Sequence, residues 1–193
     1  RPEFLMYRER SLEKRAKFSG IKNIFINFGS TDPTNVTSKI IDTLNTLNYQ
    51  SEIKLVIAVG RNSPHLSKIQ QSVNNFSGQA VLVMDAHNMS ELMCNADMAI
   101  GAAGATAWER CSLGLPSIII KTAENQSTVI TRIVDFGAAV LHDIKLKEQS
   151  KVLSKNISYI QENYHSISQK CSLLVTADGV NKVIERILLG NNK

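Results

Sequence analysis

Asn23-Ile24-Phe25-Ile26-Asn27-Phe28-Gly29, then Ser30-Thr31-Asp32-Pro33-Thr34-Asn35, then Val36 to Leu47, is the stretch on which the fold turns. The first six residues read as a strand stopped by glycine. In the third segment apolar residues fall at 36, 40, 41, 44 and 47, the spacing of one helix face. The unit recurs downstream. Residues 53–59 are apolar apart from Lys54 and stop at Gly60, and Asn62-Ser63-Pro64 opens a helix over 66–76. Strands are expected at 80–84, 97–100 and 116–120, with a weak sixth at 138–141. Helices are expected at 90–96, 106–113 (closed by Gly114) and 127–136 (stopped by Gly137). From Lys145 onward only helical patterns remain, over 152–164, 166–176 and 180–189. Near-continuous apolar strands are covered on both faces, and alternation with helices implies right-handed crossovers. The expectation is a doubly wound α/β domain with a parallel sheet and a helical C-terminal tail. Ligands of such sheets sit at the carboxyl ends of the strands, near a switch in strand order.

Composition narrows the function. The chain has 193 residues, 43% of them apolar, and a net charge of +5. Residues 1–22 hold seven basic and three acidic side chains, so +4 of that charge lies in this leader, most of it in one amphipathic stretch, Phe4 to Phe18. The remainder is nearly neutral, against the basic folded face that a nucleic-acid binder presents. The leader reads as a solvated linker helix, giving a linker over 1–20 and a folded domain over 21–193. No apolar run reaches the roughly 18 residues of a membrane span. Cys94, Cys111 and Cys171 are odd in number and lack a C-x-x-C or a His pair. That argues against disulfides and zinc and fits a reducing cytoplasm. No ligand cluster asks for a metal or cofactor. The opening Arg-Pro-Glu-Phe lacks an initiator Met, from which a piece of a longer protein is expected.

Three strand-end loops carry candidate chemistry. In the first, Gly29 permits a turn of positive φ, and Ser30, Thr31 and Asp32 approach a helix N-terminus, where free N–H groups attract anions. An ordinary helix cap is the plainer reading. The second runs Gly101-Ala102-Ala103-Gly104-Ala105-Thr106-Ala107-Trp108-Glu109-Arg110. Its small residues let a chain pass under a ligand, or simply pack strand on helix. Glu109, expected near the first turn, can favour the helix dipole or accept from two vicinal hydroxyls. The third, Thr122-Ala123-Glu124-Asn125-Gln126, offers amides suited to sugar or phosphate, or a cap. No G-x-x-x-x-G-K-[ST] is present, which removes a P-loop enzyme. His87 lies in a strand-end loop but has no nucleophile or metal partner.

These residues resemble one family. Arg-Pro-Glu-Phe (1–4), Phe-Gly-Ser-Thr-Asp-Pro (28–33), Asn-Met-Ser-Glu-Leu-Met (88–93), the run from Ala96 to Pro116 and Glu-Asn-Gln (124–126) are similar to the UDP-2,4-diacetamido-2,4,6-trideoxy-beta-L-altropyranose hydrolase of pseudaminic acid biosynthesis. More broadly the chain looks like the C-terminal half of glycosyltransferase-B proteins, such as the lipid II N-acetylglucosaminyltransferase. The resemblance implies two Rossmann-like halves with a UDP-sugar between them. Gly29, Ser30, Thr31 and Asp32, with Gly104, Ala105 and Thr106, would line the diphosphate. Glu109 would take the ribose, the backbone from Met84 to Met89 the uracil, and Asn125 and Gln126 the phosphate or sugar. The catalytic His of the family lies in the N-terminal half, the expected partner of this one. Ser30 and Ala103 stand where the family carries glycine. The function implied is the nucleotide-binding half of a UDP-sugar hydrolase of nonulosonic acid synthesis. A transferase donor half and a non-catalytic nucleotide-sugar module stand beside it as alternatives.

Overall fold

The computed structural model describes residues 2–47 and 53–176, so the helix expected over 180–189 lies outside the described residues. Helix α1 (Pro2–Ala16) leads into β1 (Asn23–Asn27), α2 (Val36–Asn45), β2 (Lys54–Val59), α3 (Leu66–Asn74) and β3 (Gln79–Met84). Then come α4 (Met89–Asn95), β4 (Met98–Ala102), α5 (Ala105–Ser112), β5 (Ser117–Ile120), a 3-10 turn (Glu124–Gln126), α6 (Ser127–Asp135) and β6 (Val140–Leu141). Helices α7 (Gln149–Glu162) and α8 (Tyr164–Leu174) close the described chain. Every strand pair is parallel, in the order β3-β2-β1-β4-β5-β6. This is the Rossmann order, and it reverses between β1 and β4. The doubly wound parallel sheet read from the sequence is therefore the fold. The sixth strand is shorter than expected, because it lies at the sheet edge and pairs only with Ile118 and Ile119.

Alternate side chains of the central strands enter different apolar clusters. Ile24, Ile26, Met98 and Ile100 join the larger one; Phe25 and Ala99 join a smaller one with Phe4, Met93 and Leu115. That is the period of two of a strand buried on both faces.

The basic leader is not the solvated helix expected from its charge. Phe4 is buried in the smaller cluster, and α1 packs on α4, α5 and α8. Its cations serve helix ends. Arg8 donates to the carbonyls of Ser112, Ser172 (2.8 Å) and Val175 (2.8 Å), at the ends of α5 and α8. Arg15, itself buried, donates to Met93 O (2.9 Å) and Ala96 O (2.6 Å), and Lys14 to Asn95 O (2.5 Å), at the end of α4. Final helical carbonyls lack intrahelical partners and carry partial negative charge, so cations belong there. Lys14 also pairs with Asp97 at 2.7 Å, whose other oxygen accepts from the amides of Lys22 and Asn23. Burial pushes that carboxyl up, but Lys14 and the two amides outweigh it and hold it below its ordinary value. Among the described residues no helix is long and apolar enough to cross a membrane.

Candidate functional site

The carboxyl ends of β1, β2 and β3 are tied together by backbone. The Gly60 amide donates to Ser30 O at 2.8 Å, and the Asp85 amide to Val59 O at 3.0 Å. Gly29 takes the turn out of β1 at φ 93°, open to glycine and strained for other residues. These loops and the start of α5 enclose a cleft of about 220 Å³ at the switch point. Gly29, Ser30, Met89 and Thr106 line it, four of the residues singled out from the sequence. Asn27 and Gly60 line it too, and the sequence reading missed them; Asp85 and Ala86, also in the lining, fall within the Met84 to Met89 stretch expected at the uracil. Asn27 is only 6% exposed; its Nδ2 donates to Ala58 O at 2.9 Å, while Oδ1 is buried without a hydrogen-bond partner. The signal for it was an amide ending an otherwise apolar strand. Asp85 sits at φ 49° and pairs with Arg61 at 3.3 Å. One ion pair and backbone edges leave the lining near neutral.

The other candidates lie around this cleft. Asp32 is 1% exposed, and its two oxygens accept from the amides of Val36 (3.0 Å) and Thr37 (2.8 Å). Its carboxylate caps α2, the plainer of its two readings. Thr31 is exposed, and its carbonyl accepts from Ser63 Oγ at 2.8 Å. Gly104 and Ala105 open α5 just beyond the lining residues. Glu109 falls in the second turn of α5 rather than the first, half-buried and outside the lining. Met84 ends β3 and is 42% exposed. Asn125 is exposed in the 3-10 turn, while Gln126 turns back on its own loop, accepting from the Thr122 amide (3.0 Å) and donating to its hydroxyl (3.0 Å). That loop borders a second cleft of about 690 Å³, where Lys39, Lys121 and Lys145 face Glu124 and Asp143. His87 is exposed. Among the described residues no three metal-ligating side chains gather.

Arg110 also escaped the sequence reading. It is completely buried, with Nη2 donating to Ala102 O at 2.8 Å and Nη1 at 3.5 Å from Thr106 Oγ1. Burial lowers its pKa to about 10, against the raising influence of Cys111, Cys171 and Glu109, so it is a cation at neutral pH.

Residues 23–187 match the glycosyltransferase family 28 C-terminal domain. The chain is 25% identical over 145 residues to the spore coat polysaccharide biosynthesis protein SpsG of Bacillus subtilis, covering 74% of this chain and 42% of that protein. It is 27% identical over 180 residues to a Campylobacter jejuni UDP-N-acetylglucosamine–N-acetylmuramyl-(pentapeptide) pyrophosphoryl-undecaprenol N-acetylglucosamine transferase, covering 89% of this chain and 50% of the transferase. The chain thus spans half or less of the length of these curated relatives. Among solved structures, Acinetobacter baumannii MurG superposes with a TM-score of 0.73 at 17% identity, covering 92% of this chain and 52% of that one. WaaG, a glycosyltransferase of lipopolysaccharide biosynthesis, superposes with a TM-score of 0.64 at 16% identity, covering 94% and 50%. These likenesses carry the glycosyltransferase-B fold. They overturn the hydrolase expected from the motifs: the matching family is one of transferases, and so is the relative that spans most of this chain. Strand order, switch-point cleft and matched sequence agree, and the chain belongs to the glycosyltransferase family 28 C-terminal domain family.

Proposed function

We propose that this chain is the donor-binding half of a glycosyltransferase that takes a UDP-linked sugar. The observation that carries the reading is the near-neutral, backbone-edged cleft at the β1–β4 switch point of a family 28 domain. Such a cleft holds a diphosphate through backbone N–H groups and the positive end of α5 rather than through clustered lysines. Gly29, Ser30 and Thr106 take the diphosphate, with Gly104 and Ala105 at the start of α5. The chain from Met84 to Met89 takes the uracil. Glu109 takes the ribose, and Asn125 and Gln126 the sugar. An acceptor hydroxyl attacks the anomeric carbon, its proton passes to a base, and UDP leaves with the bonding pair. The α5 N-terminus stabilises the charge that develops on the leaving diphosphate. A second, N-terminal half supplies the acceptor site and the base.

Calorimetry with UDP, ADP and CDP tests the donor class. UDP is expected to bind tightest, and equal affinity for the three would remove the uridine reading. Glu109→Gln tests the ribose role separately. A hydrogen bond to a charged group contributes about 1.5–3 kcal/mol. Partial exposure puts the expected loss at the bottom of that range, about tenfold in UDP affinity. The variant should melt with the native chain. A 2′,3′-dideoxy analogue should lose affinity for the native chain and lose less for the variant. Unchanged UDP affinity in the variant returns Glu109 to the helix dipole.

A further inference from the structure

Arg110 is the largest completely buried side chain of the described residues, and the donor-site reading gives it no direct contact. A long side chain in a helix runs back over the preceding turn toward the N-terminus. The guanidinium therefore lies level with the start of α5, against Ala102 and Thr106. Thr106 is part of the cleft wall. A Cβ built on Gly101 would stand 2.7 Å from Arg110 Nη1, so the guanidinium abuts β4 at Gly101, beside the point where the strand order reverses. Among the described residues no carboxylate comes within ion-pair distance of it. Nε has no hydrogen-bond partner. The titratable groups facing it are Glu109 and Cys111 on its own helix and Cys171 on α8. A buried charge without an ion-pair partner in contact is costly to hold, and a ligand can bring what the fold omits.

We propose that Arg110 is a positioning residue for the diphosphate, a fixed cation beneath the phosphate subsite whose counter-charge arrives with the nucleotide. This rests on the donor-site reading above. Arg110 acts in two ways without touching the ligand. Its field adds to the partial positive charge of the α5 N-terminus, weakly screened because it is buried. Its bond to Ala102 O holds the turn from 102 to 106 in the shape that presents Thr106. The unpartnered Asn27 Oδ1 in the same cleft is an acceptor that a hydroxyl or N–H of the ligand's nucleoside, not its phosphates, can satisfy, and it marks the cleft independently as a ligand site.

The test compares UDP, uridine and inorganic pyrophosphate by calorimetry on the native chain and on Arg110→Met, Arg110→Gln and Arg110→Lys. A neutral variant is expected to lose about tenfold in UDP and pyrophosphate affinity, as for removal of a buried charge several ångströms from an anion, and to bind uridine as the native chain does. Lysine keeps the charge but not the planar fork, so about threefold is expected. Gln keeps an amide donor near the Ala102 carbonyl and serves if Met does not fold; Lys serves if neither does. A UDP-to-uridine affinity ratio equal to the native one in every folded variant overturns the proposal, since a merely structural residue weakens both ligands together. A native chain that binds UDP no better than uridine removes the donor-site reading itself, and the inference falls with it.

Discussion

Gly101 and Gly104 stand three residues apart in one small-residue run, the first in β4 and the second at the start of α5, and alanine should have different consequences at the two. Gly101 pairs with Asn27 across the central β1–β4 ladder. A Cβ there would lie 2.4 Å from Asn27 O and 2.7 Å from Arg110 Nη1. The first neighbour is backbone held in the sheet. The second is completely buried and tied to Ala102 O. Overpacking a close-packed interior costs about 1–3 kcal/mol, and a clash with backbone belongs in the upper part, about 2–3 kcal/mol. At 2–4 °C per kcal/mol for a domain of this size, Gly101→Ala should melt roughly 4–12 °C below the native chain. A Cβ on Gly104 meets nothing within 4 Å, and its φ of −87° with ψ of −159° suits any residue. Gly104→Ala should stay within about 0.5 kcal/mol. Thermal melts and urea titrations with a shared m-value measure both. Equal losses in the two variants, or a neutral Gly101→Ala, would refute the packing argument. A Gly104→Ala variant that keeps its Tm but loses UDP affinity would mark the passage of ligand over that turn.

Two further outcomes follow from other contacts. Asp32→Ala removes acceptors from two amides at the start of α2 and should cost about 1–2 kcal/mol by urea titration, with UDP affinity little changed; the reverse pattern would make Asp32 a ligand contact rather than a cap. His142 is buried between Gln149 Oε1 (2.8 Å) and Asn156 Nδ2 (3.2 Å), and burial lowers its pKa below the ordinary 6.5. The unfolded chain then takes up the proton first, so this contribution is complete above pH 6.5 and is lost as pH falls through the lower folded value. Stability measured from pH 7.5 to 5 should decline more steeply in the native chain than in His142→Gln, and parallel slopes would contradict the neutral imidazole.

The chain by itself determined what depends on near neighbours. Period-two and period-3.6 patterns, with glycine stops, marked β1, β2, β4 and α5 to within a residue or two, because those periods are properties of strand and helix geometry. Gly29, Ser30, Met89 and Thr106, singled out from the sequence, line one cleft because strand-end loops of an α/β sheet gather on one side. The Asp32 cap spans four and five residues and could be read locally. The motifs also carried the glycosyltransferase-B scaffold but misassigned the reaction, since residues that cradle a nucleotide do not specify what attacks the sugar. Only tertiary structure decided the rest. The basic leader reads as solvated until Arg8 meets Ser112, and Lys14 meets Asp97, across 104 and 83 residues. Nothing within a helical turn of Arg110 tells a surface cation from one sealed beneath a cleft. Burial is set by what packs from above and beside, here β4, Thr106 and α8, and those neighbours meet only when the sheet order reverses between β1 and β4.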